Sequence, residues 1–350
     1  MNGTPTALYS LERWNDEFSE KYLANTILIV FGLLLGIPGN LLVIVIYSCR
    51  LIKEGTGRFF VLPLAYVDLT GLFITGTLNL IRNTKHVIFP GNVTCKLLLY
   101  GSYVVGCSSL FLLNVIAVQR YQKICRPFSR QMNMKYLRVS LIICIAFSLL
   151  LNIPSLFYYG TAPVFDSYSG NVTGVMCQKV YPSSTVGLRA YQGAGAVIST
   201  ANVICITTLY ILIARTIFRT TRLRKTRQND YVDEQQSSAF TSNTTVQDAQ
   251  SESDEVQAMS KSRKGSVQRL SIMFMVISFT AIASYFPSWI FIAIETYKSN
   301  FWKEMSEPLF QICVILRRMY ILNHLSNPFI YGMYDFAFRQ QIQRLFCSFK

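Results

Sequence analysis

From Leu97 to Val118 the chain carries no charged residue. A helix of about twenty residues, rising about 1.5 Å per residue, crosses a bilayer core of roughly 30 Å, so this run fits a transmembrane helix. Cys95 stands at one mouth of it, and Arg120, Lys123 and Arg126 crowd the other. The two ends therefore face chemically different compartments.

Further apolar runs of spanning length lie at about 25–48, 59–81, 138–158, 191–214, 270–294 and 309–333. With 51% hydrophobic and 15% charged residues, the chain is too apolar for a soluble domain. Its net charge of +15 would suggest nucleic acid in a soluble protein. Here the basic residues collect in alternate loops: Arg50, Lys53 and Arg58, then Arg120 through Arg138, then Arg215 through Arg227 with Lys261 through Arg269. That pattern sets topology, places those loops in the cytoplasm and the N-terminus outside, and makes nucleic acid an improbable partner. No basic stretch precedes an apolar one in the first two dozen residues, which include Glu12, Asp16, Glu17 and Glu20, so the first run is expected to be an uncleaved anchor.

The sequence predicts an all-α membrane protein, a seven-helix bundle in the plasma membrane. Residues 1–24 form an outer tail, 25–215 hold helices one to five, 216–268 a third inner loop, 269–333 helices six and seven, and 334–350 an amphipathic helix and tail. The inner loop is Ser/Thr/Gln-rich and is expected to be disordered. Phe338, Ile342, Leu345 and Phe346 recur at helical spacing, as on a helix lying along the inner membrane face. Sequons at Asn2, Asn92 and Asn171 fall outside, whereas that at Asn243 falls inside, where glycans are not added. Ser266 follows Arg263 and Lys264 in a pattern basophilic kinases accept. Cys347 is a candidate for palmitoylation and equally a free thiol.

Of nine cysteines, Cys95 and Cys177 sit clearly outside, and in an oxidising compartment they would pair. Asp68 stands mid-membrane in the second run, where Asn40, Ser109, Asn114, Asn323, His324 and Asn327 from other runs are candidates to surround it. Such a ring is either a packing network or an oxygen cage for sodium, since hard cations favour oxygen ligands. Arg317 and Arg318 lie in the last run and, being adjacent on a helix, point about 100° apart. One is expected to line an outer pocket and the other to pair with a neighbouring helix or snorkel; a buried guanidinium suits a carboxylate or phosphate, and a purely structural network is the alternative. Two histidines, His86 and His324, offer no metal spacing, and no nucleophile motif is visible, so an enzyme is not expected. No internal repeat suggests a transporter of duplicated halves.

Gly39-Asn40, Leu64 through Asp68, the Cys95/Cys177 pair, Arg120-Tyr121 and Asn327-Pro328-Phe329-Ile330-Tyr331 occur in order across the spans. Together they resemble the rhodopsin-like (class A) G-protein-coupled receptors. The resemblance implies an outer ligand pocket, assigned to Ser102, Tyr103, Tyr285, Trp289, Arg317, Arg318 and Tyr320. It implies a helix-six pivot at Pro287, where a mid-helix proline removes a hydrogen bond. It implies that Arg120, flanked by Gln119 and Tyr121, meets a heterotrimeric G protein, with Tyr210 and Tyr331 stabilising the open state and arrestin and receptor kinases as further partners. No cofactor is implied beyond the sodium considered at Asp68.

The departures from the family are specific. Gln119 replaces the usual acid before Arg120, and Val267, Gln268 and Arg269 replace one in helix six, which motivates raised basal activity. Tyr285 replaces the usual tryptophan before Pro287. No aspartate lies in the outer half of helix three, which disfavours a monoamine, and Ile321 stands where a visual pigment carries its retinal lysine. A peptide with an acidic group is the expected ligand. A small anionic or lipid-acid ligand, a non-coupling receptor and a seven-helix transporter are the alternatives.

Overall fold

The computed structural model describes residues 10–49, 56–166, 172–238, 248–298, 301–302 and 305–347. The first six spans are α2 (Leu23–Cys49), α3 (Val61–Thr84), α4 (Asn92–Cys125), α5 (Met134–Asn152) with the one-turn α6 (Ser155–Tyr158), α7 (Val186–Ser238) and α8 (Asp248–Tyr297). Each contains a segment long and apolar enough to cross a membrane. On α2, Asn25, Ile29, Gly32, Gly36, Asn40 and Val43 turn inward at helical spacing, while Ile27, Phe31, Leu34 and Leu41 are exposed. An apolar outer belt of this kind is stable only against lipid.

The seventh run is broken. It forms α9 (Glu307–Arg317) and α10 (Ile321–Tyr334), with Arg318, Met319 and Tyr320 in a turn between them. Ser288 of α8 donates its hydroxyl to the Arg317 carbonyl at 2.6 Å, satisfying an acceptor that the broken ladder frees.

Two further departures from the sequence expectation lie outside the membrane. Residues Leu11–Lys21 of the expected tail form helix α1, capped by Ser10, whose hydroxyl accepts from the Arg13 N–H. Trp14 and Phe18 fall on one face and Asn15 donates to the Thr84 carbonyl at 2.8 Å, so α1 seals the outer end of α3. The loop between α6 and α7 pairs β1 (Tyr159–Phe165) with β2 (Thr173–Lys179), antiparallel from Tyr159↔Lys179 to Phe165↔Thr173. Backbone groups outside the spans still need partners, and a hairpin supplies them. The Cys95–Cys177 disulfide ties β2 to the top of α4, and Leu78, Phe89, Leu99 and Leu188 pack around it.

On the inner side, helix replaces loop over much of 216–268: α7 continues to Ser238 and α8 starts at Asp248. Extending a formed helix avoids the nucleation cost, and the Arg, Lys, Gln and Glu residues here are good helix formers. The amphipathic helix is α11 (Phe336–Cys347), but its stripe turns onto the bundle rather than only onto lipid. Phe338 is buried against Tyr47 and Tyr331, and Ile342 and Leu345 pack beside it. Cys347 is exposed at its end, and Ser266 is exposed on α8. Asn2, Asn171 and Asn243 lie outside the described residues; Asn92 is exposed, its side-chain oxygen accepting from the Thr161 N–H at 3.0 Å.

Candidate functional site

Polar side chains enter the bundle at three depths. Outermost, α3 presents Asn79, Arg82 and Asn83 at helical spacing above Asp68 and Thr75. Asn79 donates to the Tyr320 hydroxyl at 2.8 Å, and Tyr320 stacks on Tyr285, which stacks on Trp289, with centroids 6.3 and 6.1 Å apart. The Tyr285 hydroxyl abuts Gly106, where a Cβ would stand 3.3 Å away. Tyr103 tilts onto Tyr159 of the hairpin at 5.7 Å. Ser102 bonds back to the Leu98 carbonyl of its own helix at 2.7 Å.

Both arginines of the last span are engaged. Arg317 forms a two-pronged ion pair with Glu295 of α8, at 2.6 and 3.1 Å. Arg318 donates to Asn25 at 2.6 Å and to Asn83, and lies over the Tyr22 ring at 5.4 Å. Arg82 reaches the Cys177 carbonyl at 3.0 Å and, among the described residues, has no carboxylate at salt-bridge distance. Arg82, Arg317 and Lys179 lie within electrostatic reach of Glu295, so among the described residues cations outnumber the carboxylate there. Beside them, outside the membrane, burial holds His86 down to about 4, with its Nδ1 facing the Arg82 carbonyl at 2.9 Å and its ring stacked 4.3 Å from Phe18.

At mid-membrane Asp68 is fully buried. Its two oxygens face His324 Nδ1 at 2.9 Å and Asn327 Nδ2 at 2.6 Å. Asn323 donates to Ser109 at 3.0 Å, and Asn40 donates to the Gly36 carbonyl at 3.0 Å and the His324 carbonyl at 2.9 Å. Asn114 stands apart, accepting from the Cys205 thiol of α7 at 3.6 Å.

At the inner end Arg120 is 1% exposed, its guanidinium 4.7 Å over the Phe274 ring. One of its nitrogens donates to the Gly57 carbonyl and, at 3.3 Å, to Gln119; Nε and the other terminal nitrogen have no partner among the described residues. Gln119 donates to the Thr56 carbonyl at 2.8 Å. Tyr210 accepts from Ser278 at 3.2 Å, while the buried Tyr331 hydroxyl is unpartnered among the described residues. Tyr121 packs partly buried on the inner core, and Pro287 lies within α8. Below these, Asp335 receives Arg58 through two bonds of 2.8 and 2.9 Å, Tyr47 at 2.6 Å and the Ala337 N–H at 3.0 Å, which starts α11.

Residues 39–331 match the family model described as 7 transmembrane receptor (rhodopsin family). The chain belongs to this family. Among curated relatives, the receptor is 26% identical to the GQ-coupled rhodopsin of Mizuhopecten yessoensis over 94% of its own length and 61% of that protein's. It is 24% identical to nematocin receptor 2 of Caenorhabditis elegans over 80% of its length and 67% of that protein's. To the type-1 angiotensin II receptor of Gallus gallus it is 28% identical over 56% of its length and 55% of that protein's. The receptor thus spans about three fifths to two thirds of the first two relatives. The crystal structure of squid rhodopsin superposes with a TM-score of 0.67 at 18% identity, covering 98% of this chain and 84% of that one, which shows the shared fold.

The receptor's site contains residues that sequence reasoning did not single out: Arg82, Asn83, Glu295, Arg58 and Asp335. The spacing of Asp68, Thr75, Asn79 and Arg82 on one helix face carries a legible signal for the first two. Glu295 and Asp335 become partners only through tertiary register.

Proposed function

We propose that this receptor couples an extracellular peptide, through an anionic group of that peptide, to heterotrimeric G proteins at the plasma membrane. The observation that carries the ligand half is Arg82: a guanidinium beneath the hairpin, bonded to a carbonyl and within electrostatic reach of the Tyr103 and Tyr320 hydroxyls, with Glu295 already claimed by Arg317. A carboxylate is the complement that such a group favours, through charge-assisted paired bonds. Two relatives are named for nematocin and angiotensin II, which favours a peptide over the retinal of a rhodopsin. Ile321, packed with Ile29 and Leu72, offers no amine for a Schiff base.

The coupling half rests on Arg120 and on Phe128. Phe128 is fully exposed in the loop between α4 and α5, on the same side as Arg120, and an aromatic left in solvent there suits a protein partner. Phe128→Ala is expected to weaken coupling without changing ligand binding.

A library of peptides with free and amidated C-termini, assayed by G-protein nucleotide exchange, tests the ligand reading. Active peptides should prefer the free carboxylate, and Arg82→Gln should remove that preference with a loss of about ten- to a hundredfold in potency. Equal potency of acid and amide forms on the parent would overturn it. Activity of small organic acids alone would replace the peptide by a small anionic ligand.

A further inference from the structure

The carboxylate buried among the inner faces of the spans needs a compensating group, and its neighbours decide which. A sodium cage would aim lone pairs at the ion. Here the groups aimed at Asp68 are nitrogens: Asn327 Nδ2 donates to one oxygen at 2.6 Å, and His324 Nδ1, a donor in the tautomer that carries its hydrogen there, faces the other at 2.9 Å. Asn323 spends its amide nitrogen on Ser109 at 3.0 Å, and Asn40 spends its own on main-chain carbonyls. The imidazole is 1% exposed and has no oxygen with which to ligate a hard cation.

The space is fitted to the ring. Gly71 lies on α3 one turn beyond Asp68, and a Cβ there would stand 2.8–2.9 Å from three ring atoms of His324. Even alanine would force the imidazole to move. The residues around Asp68 therefore fit a histidine of this chain and do not fit a bound sodium ion.

We propose that His324 stands in the place of a cation at Asp68, so that a proton donor supplied by α10 latches α3 to α10 and the receptor's resting state is independent of sodium. When Asp68 is ionised, Nδ1 carries the hydrogen it shares with the carboxylate. The inference does not depend on the nature of the ligand or on coupling.

Thermal unfolding of the purified full-length receptor in sodium chloride and in choline chloride of equal ionic strength tests it. The parent should melt at the same temperature in both salts. His324→Ser opens the space and adds an oxygen, and it should gain a sodium-specific rise of at least about 2 °C that a further Asp68→Asn change removes. A sodium-specific rise in the parent, lost in Asp68→Asn, would overturn the proposal. So would a folded His324→Ser that stays indifferent to sodium, because the imidazole would then not be what excludes the ion. Should the serine variant fail to fold, the ²³Na line width of the parent decides: a width equal to that of Asp68→Asn supports the proposal, and excess broadening in the parent overturns it.

Discussion

Arg120 donates to the main-chain carbonyl of Gly57 and, among the described residues, to no carboxylate. Gln119 reinforces the arrangement from the Thr56 carbonyl at 2.8 Å, and Lys123 from the Thr56 hydroxyl at 3.1 Å. The loop that precedes α3 thus restrains the inner arginine through neutral acceptors. Hydrogen bonds of a charged group to neutral partners are weaker than ion-paired ones, so an acid at position 119 is expected to hold Arg120 more firmly than these acceptors do.

The outer cap is expected to loosen in acid. Burial holds His86 neutral in the fold down to about 4, whereas the unfolded side chain takes up a proton below about 6.5. Between these values the unfolded state binds more protons, so stability falls as pH drops from 6.5 towards 4 and is flat above 6.5. The Tm should be lower at pH 5 than at pH 7 by roughly 2–4 °C, and His86→Phe, which keeps the stack on Phe18, should abolish the difference.

A second acid transition is expected at lower pH and at the other end of the molecule. Burial pushes the Asp335 carboxyl up, but the bonds from Arg58 and Tyr47 outweigh it and hold the group below its ordinary value. Its contribution is therefore complete above about 3.8 and is lost only as pH falls further, through the folded value. Asp335→Ala, measured at pH 7, should cost about 2–4 kcal/mol by removing the buried acceptor shared by Arg58, Tyr47 and the Ala337 N–H, and should release α11, seen as faster amide exchange from 336 to 347.

Glu295 and Arg317 are expected to behave as a pair. Glu295→Gln removes the counter-charge of Arg317, whose side chain is 28% exposed, and should cost about 1–3 kcal/mol in thermal unfolding. Replacing Arg317 by Met in the same chain should restore much of that loss. Additive losses in the double variant would show that the two residues act separately.

The spans are legible in the sequence because lipid demands long uncharged segments, and the disulfide because Cys95 and Cys177 are the cysteines clearly facing outside. What escapes a one-dimensional reading is set by tertiary contact. The turn at Arg318 to Tyr320 interrupts a run of spanning length that carries no helix-breaking Gly or Pro at the break, and Ser288 of another helix satisfies it. The helix at Leu11–Lys21 draws its stability from α3, and the hairpin from Cys177 and the Val87 carbonyl. Gly57 holds Arg120 through a carbonyl, which every residue possesses and no motif reports. Position 71 shows the same limit: glycine matters there because of a ring that arrives from His324.

Ligand-free nucleotide exchange on a panel of heterotrimeric G proteins, comparing the receptor with Arg120→Ala and Gln119→Glu at matched surface expression, tests the coupling reading most directly. The parent should stimulate exchange on at least one G protein. Arg120→Ala should abolish it, and Gln119→Glu, by giving Arg120 an ionised partner, should lower it about three- to tenfold. Exchange no higher with the parent than with Arg120→Ala on every member of the panel would contradict a receptor held closed by neutral groups.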